Sequence, residues 1–236
     1  MADFKFEITA KDKESRARAG IIKTQHGEIE TPYVVPVATK GEIKSLSRGD
    51  WELLGMQCVL ANTYHLHFLN KGKELHSLMK FNKPIFTDSG GFQAFSLGLG
   101  REQGMKKIGF FPGEKIPELK GKSYAKITEN GVLFKSIYDK KENFMGPKES
   151  MQIQSELGAD IIMAFDECTS PASDKSYIKK SMERSHCWEK KSLEYHNPKQ
   201  ALYGIVHGGW FKDLRIASAK YINSLQSNFF IRALII

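Results

Sequence analysis

Cysteine is scarce. The chain of 236 residues carries three, Cys58, Cys168 and Cys187, with no C-x-x-C spacing among them. So sparse and odd a set excludes a disulfide framework and a cysteine-built zinc knuckle, and it fits a reducing compartment. Long apolar runs are missing too: none approaches the roughly 18 residues that a bilayer-spanning helix needs. The opening Met1-Ala2-Asp3-Phe4-Lys5-Phe6 lacks the basic-then-apolar order of a secretory signal. These absences predict a cytoplasmic protein with no membrane partner. Internal repeats and low-complexity tracts are absent as well, which excludes a solenoid or fibrous architecture.

What is present is ordinary for a globular chain: 41% hydrophobic and 26% charged residues. The length predicts one domain, because single cores tend to split only beyond about 250 to 300 residues. Acidic residues are in deficit, 27 against 35 lysines and arginines, leaving a formal charge of +8. A basic surface favours a polyanionic partner through counterion release, although charge alone is weak evidence.

Four short apolar runs each end on a polar side chain and lead into a helix-like segment, the pattern of successive β-α units. Cys58 to Ala61 leads to Asn62, Ile85 to Thr87 to Asp88, Ile161 to Phe165 to Asp166, and Leu202 to Val206 to His207. In a parallel α/β fold these residues would gather at the carboxyl ends of adjacent strands, where such folds build their sites. Between them, helices are predicted over Ser173 to His196, from Pro147 after Gly146, and over Phe211 to Leu225. Alternating Phe4, Phe6 and Ile8, with the His26-Gly27 turn, predict an N-terminal antiparallel hairpin that caps the fold. Residues 99–130, rich in Lys and Gly, read as a long exposed insertion. Residues 227–236 form an apolar tail with no following helix to cover it.

The strongest chemical signal is Thr87-Asp88-Ser89-Gly90-Gly91-Phe92-Gln93. Glycines admit a ligand close to the backbone, Phe92 offers a stacking face, and Asp88, Ser89 and Gln93 offer hydrogen bonds in the plane of a heterocycle such as a purine. The bland alternative is a tight turn with Ser89 capping the next helix. Asp166 could accept two hydrogen bonds from the N1 and exocyclic amine of a guanine-like ring, or simply cap a helix. His207 with Gly208 and Gly209 repeats the logic, although a lone histidine is more often structural. Cys168 reads as a packing residue, since no Cys-His pairing is evident. His65 and His67, two apart, make a poor metal pair. His186 and His196 are expected on a solvated helix. The cluster Lys179, Lys180, Arg184, Lys190 and Lys191 reads as an exposed helix face able to touch phosphates.

Taken together, Thr87 to Gln93, Met163-Ala164-Phe165-Asp166-Glu167-Cys168-Thr169 and Gly204-Ile205-Val206-His207-Gly208-Gly209 resemble the tRNA-guanine transglycosylase, or queuine tRNA-ribosyltransferase, family. Supporting matches are Thr31-Pro32, Pro36-Val37, Ala61 to Leu66, Gly131 to Ser136 and Ser181 to Ser185, so the resemblance runs to about Leu225. The Asp166-Glu167-Cys168-Thr169 form looks bacterial.

The resemblance implies a (β/α)₈ barrel with a zinc subdomain. It also implies an enzyme that exchanges guanine at the tRNA wobble position for preQ1, on the way to queuosine. Asp88 would be the second acid, which shuttles protons, and Phe92 would stack on the base. Ser89, Gly90, Gly91, Asp166 and His207 would complete the base-binding set, with Gln93 and Gly208 beside them. His207 departs from the family's usual glutamine. The family's nucleophilic aspartate and its Cys-x-Cys-x-x-Cys zinc motif have no counterpart here. The expectation is therefore a barrel interrupted before closure, the whole of 1–236 being the N-terminal part of such a domain and inactive alone. Its expected partners are a wobble-G tRNA, guanine or preQ1, and a second copy or a complementing C-terminal fragment. Two alternatives are a non-catalytic tRNA- or deazaguanine-binding protein, and a barrel glycosidase using Asp88 and Asp166 as its carboxylate pair.

Overall fold

A computed structural model describes residues 4–69, 74–95, 125–170 and 173–225. The N-terminal segment forms β1 (Lys5–Lys11), β2 (Arg18–Thr24) and β3 (Gly27–Thr31), an antiparallel sheet in the order β1-β2-β3. The expected hairpin is the β2-β3 pair, turning through His26 with Gly27 at φ +124°, a conformation that suits glycine. A third strand, β1, joins because Phe6 pairs with Ile22 in register. The sheet caps the fold through Phe4 and Ile29, which pack with Phe86, Ile161, Met163 and Ala201 in one apolar cluster.

The apolar runs become a five-stranded parallel sheet. Its strands are β4 (Val37–Ala38), β5 (Val59–Ala61), β6 (Ile85–Thr87), β10 (Ile161–Met163) and β11 (Ala201–Tyr203), in the order β11-β10-β6-β5-β4. Each strand lies beside its predecessor in the sheet, as consecutive β-α units dictate. All three residues of β6 and of β10 are buried, which is why these strands are continuously apolar rather than alternating. β4 has only two residues, too few for any periodicity to reveal it.

Helices α1 (Arg48–Leu53), α2 (Thr63–Leu69), α3 (Leu75–Met79), α4 (Pro147–Leu157), α5 (Lys175–Tyr195) and α6 (Lys212–Ser224) surround the sheet. Helix α4 starts as predicted, with Gly146 at the N-cap, Pro147 in the first turn and Glu149 accepting from the Gly146 amide at 3.1 Å. It ends on Gly158 in the left-handed region, φ +70°. Met151 and Leu157 face the main core with Trp188 of α5.

The buried Gln154 fastens α4 to two strands at once. Its Oε1 accepts from Thr87 Oγ1 at 2.9 Å and the Met163 amide at 3.0 Å, while its Nε2 donates to the Met163 carbonyl at 2.9 Å. One turn earlier, Ser150 Oγ donates to the Ser89 carbonyl at 2.7 Å. The ends of β6 and β10 are thus set against each other by α4.

Part of the predicted insertion is ordered differently. Residues Ala125–Thr128 form β7, which with β8 (Gly131–Lys135) and β9 (Glu142–Met145) makes a second antiparallel sheet. Residues 99–124 and the apolar tail 227–236 lie outside the described residues. Among the described residues, no helix is long and apolar enough to cross a membrane.

Candidate functional site at the carboxyl ends of the parallel strands

The four predicted polar residues do gather on one face, joined through side chains. Asn62 follows β5 directly: its Oδ1 accepts from the His65 amide at 3.0 Å at the start of α2, and its Nδ2 donates to Asp88 Oδ2 at 2.5 Å. Asp88 Oδ1 accepts from the amides of Thr63, at 3.0 Å, and Gly90, at 3.1 Å. Ser89 Oγ donates to Asp166 Oδ1 at 3.1 Å, and His207 Nε2 stands 3.6 Å from Asp166 Oδ2. Asp166 lies three residues past β10 and His207 four past β11, so both sit on the loops above the sheet.

Asp166, His207 and Gly208 line a cleft of about 500 Å³ together with Ile178, Trp210 and Arg215. That volume lies within the span of small-molecule pockets. Asp88, Gly90, Phe92 and Gln93 are not on its wall. They belong to the segment whose Ser89 hydroxyl bonds Asp166 on that wall. Phe92, in the helical turn 91–95, is 43% exposed, so its ring is free to stack on something planar. Gln93 Oε1 is buried with no hydrogen-bond partner among the described residues.

Burial pushes Asp88 up to about 6, a rise reinforced by the nearby Asp166 charge and resisted by its hydrogen bonds. Asp166 is likewise pushed up to about 6 by burial and by Glu167. His207 moves the other way, down to about 4, because burial disfavours the imidazolium. Around neutral pH the site therefore holds a neutral imidazole facing a carboxylate that titrates near 6. Cys168 sits exposed at the rim, yet surrounding protein and the Asp166 and Glu167 charges push its thiol up to about 11. That agrees with a residue that does no thiolate chemistry.

The glycines have a second role. A Cβ on Gly91 would stand 2.9 Å from the Asp166 carbonyl, and one on Gly208 would stand 2.5 Å from the Arg215 amide nitrogen. Protein backbone fills both spaces, so Gly91 lets its segment pack on the Asp166 loop and Gly208 lets the His207 loop pack on the first turn of α6.

Several expectations are corrected here. Asp166 caps no helix: α5 starts at Asp174, whose side chain accepts from the Tyr177 amide. His186 is not solvated but buried, stacked on Tyr221 at 4.1 Å between ring centroids, with Nε2 2.9 Å from Ser218 Oγ. The same Ser218 Oγ accepts from the His207 amide at 2.9 Å, so this pair props the His207 loop. Arg184 is not part of an exposed basic face; it is buried and paired with Glu167, which also accepts from Tyr177 Oη at 2.6 Å. Glu189, which sequence reasoning missed, is 2% exposed and accepts from the Ile205 amide at 2.8 Å. Nothing in its helical sequence context distinguishes it from the exposed charges around it.

A parallel-sheet α/β protein with a cleft at its strand ends, holding the Asp166 carboxylate opposite His207, is the class this architecture defines. The family model for queuine tRNA-ribosyltransferase matches residues 12–235, and the chain belongs to that family. It is 46% identical over 222 residues, 88% of this chain and 55% of the relative, to a protein of Archaeoglobus fulgidus whose name assigns it to the same family. It is 43% identical over 240 residues to the queuine tRNA-ribosyltransferase of Roseiflexus sp., covering 93% of this chain and 58% of the relative. The enzyme of that name from Fusobacterium nucleatum is 40% identical over 236 residues, 95% of this chain and 57% of the relative. The chain thus spans a little over half the length of the curated relatives it matches.

Among the described residues, no cysteine belongs to a convergent group of three or more metal-capable donors. The one convergent set of metal-capable donors is His26, His76 and Asp160, which contains no thiolate. The described residues do not fit the thiolate-rich zinc centre that the family implies.

Proposed function

We propose that this chain is the base-recognition part of a tRNA-guanine transglycosylase, built as the first strands of a (β/α)₈ barrel. What carries the reading is one constellation: Asp166, held by Ser89 on one oxygen and facing His207 and the cleft with the other. A guanine or preQ1 ring offers N1–H and an exocyclic amine side by side, and a carboxylate accepts both. The neutral His207 contributes a single donor or acceptor at the ring edge. Asp88, near 6, can take up and return a proton at physiological pH, which suits the second acid of a base exchange. Exposed Phe92 supplies the stacking face, while Ser89, Gly90, Gly91, Gln93 and Gly208 shape the backbone around it. The +8 charge suits a tRNA bearing guanine at the wobble position.

The sequential parallel order supports the barrel: β4 and β11 each have one neighbour in the sheet, and eight strands rather than five close such a barrel. Neither the ribose-attacking aspartate nor the cysteine-rich zinc motif has a counterpart in this sequence. On this reading residues 1–236 recognise the base, and exchange needs in addition the part of the relatives that these residues do not match.

The test follows labelled guanine into a wobble-G tRNA, with the chain alone and with the C-terminal part of a relative added. Incorporation only in the mixture is expected. Incorporation by residues 1–236 alone would overturn the claim that exchange needs that further part. Guanine binding with no incorporation in either condition would favour a binding protein.

A further inference from the structure

At the amino ends of the same strands, opposite the cleft, three elements bring a donor each to one point. His26 comes from the β2-β3 turn, His76 from α3, and Asp160 from the residue before β10. His26 Nδ1 is 2.8 Å from Asp160 Oδ1, His76 Nε2 is 3.3 Å from Asp160 Oδ2, and all three donor atoms lie within 4.8 Å of one another. The two imidazoles stack at 3.6 Å between centroids and 23° between planes, so both present a nitrogen to the same carboxylate.

Two details set this group apart from an ordinary ion pair. Among the described residues, the buried His76 Nε2 has no aligned hydrogen-bond partner, although an Asp160 oxygen lies within ion-pair reach. The Asp160 side chain is 2% exposed, and its Oδ2 accepts from the Ile85 amide at 3.0 Å, which orients the carboxylate as a supporting contact orients a ligand. Burial pushes that carboxyl up, but the His76 and His26 rings and the Ile85 amide more than offset it and hold Asp160 below its ordinary range.

We infer that His26, His76 and Asp160 form a binding site for a first-row divalent transition cation, which clamps the N-terminal hairpin and α3 to the floor of the parallel sheet. Bonds of about 2.0–2.2 Å to imidazole and carboxylate place ligand atoms about 3 to 4 Å apart, close to what the three donors already show. Two nitrogens and one carboxylate select zinc, cobalt or nickel over magnesium or calcium, which prefer all-oxygen shells. The His26 side chain is 38% exposed, giving the ion a route in and leaving coordination positions to water. A site at the amino ends of the strands serves stability rather than catalysis.

The full chain, stripped with a chelator, would be titrated calorimetrically with Zn²⁺ and spectroscopically with Co²⁺ near neutral pH. One cation per chain, bound at micromolar affinity or tighter, is expected. His26→Gln and His76→Gln should each weaken it at least about tenfold, while Cys187→Ser leaves it unchanged. Absence of saturable binding, survival of binding in both histidine variants, or its loss in Cys187→Ser would overturn the site. If a histidine variant does not fold, Co²⁺ bound to the unaltered chain should shift the imidazole resonances of His26 and His76. Shifts confined to other histidines would equally defeat the inference.

Discussion

Ser89 Oγ donates to Asp166 Oδ1 across 3.1 Å, bridging the loops that follow two neighbouring strands of the parallel sheet. Through that bond the two acid-bearing motifs, far apart in sequence, become one site. The Asp88 backbone is anchored on the other side, its carbonyl accepting from Thr63 Oγ1 at 2.5 Å.

Asp166→Asn should weaken binding of free guanine by about ten- to a hundredfold, because hydrogen bonds to a charged acceptor are worth roughly 1.5–3 kcal/mol. Equilibrium dialysis with labelled guanine measures this directly. Unchanged affinity would remove Asp166 from base recognition.

His207→Gln should change how stability depends on pH. An imidazole held near 4 in the fold, against about 6.5 when free, binds its proton less well when folded. Its contribution to stability is therefore fully present above about 6.5 and is lost as pH falls toward 4. Asp88 and Asp166, raised to about 6, act oppositely: their contribution is fully present below about 4 and is lost as pH rises through 6. The two slopes oppose each other in the native chain. As pH rises from 4 to 6.5, the variant, without the imidazole's opposing slope, should lose roughly 3 kcal/mol relative to the native chain, at about 1.4 kcal/mol per pH unit. Urea unfolding at several pH values gives the comparison, and parallel curves would contradict it.

Arg184→Met should cost about 3–5 kcal/mol by leaving Glu167 buried without its cation. Glu167→Leu should cost less, because Arg184 keeps Glu129 Oε1 at 3.3 Å, and the double variant should cost clearly less than the sum of the two. A double-mutant cycle on urea midpoints reads the difference, and strict additivity would mean that the pair is not coupled.

Gly208→Ala should destabilise by about 2 kcal/mol or more, since φ +119° is strained for any L side chain and its Cβ would meet the Arg215 backbone. Gly49→Ala in α1 is the control: the nearest atom to its Cβ is 3.7 Å away, and the shift should be neutral or stabilising by about 0.4–1 kcal/mol. Melting temperatures of both variants test the contrast.

Much of this molecule was legible in the sequence because its local signals agree. Apolar runs bounded by polar residues gave β5, β6, β10 and β11; Gly146-Pro147 marked the start of α4; and the motifs around Asp88, Asp166 and His207 marked the strand-end face. Periodicity is silent where an element is too short or its setting is not local. The two residues of β4 carry no pattern, and Ala125–Thr128 looked like loop because β7 exists only through pairing with β8.

The sequence by itself determined the family, the parallel α/β class and the identity of the residues at the strand ends. Tertiary structure alone decided which charges are buried. Arg184, His186 and Glu189 occupy a helix whose composition looks solvated, and they face inward only because α5 packs between the sheet and α6. It alone brought Ser89 to Asp166, and His26 to His76 and Asp160, since a hydrogen bond or a shared carboxylate between distant residues depends on where packing puts the backbone, which no local pattern encodes.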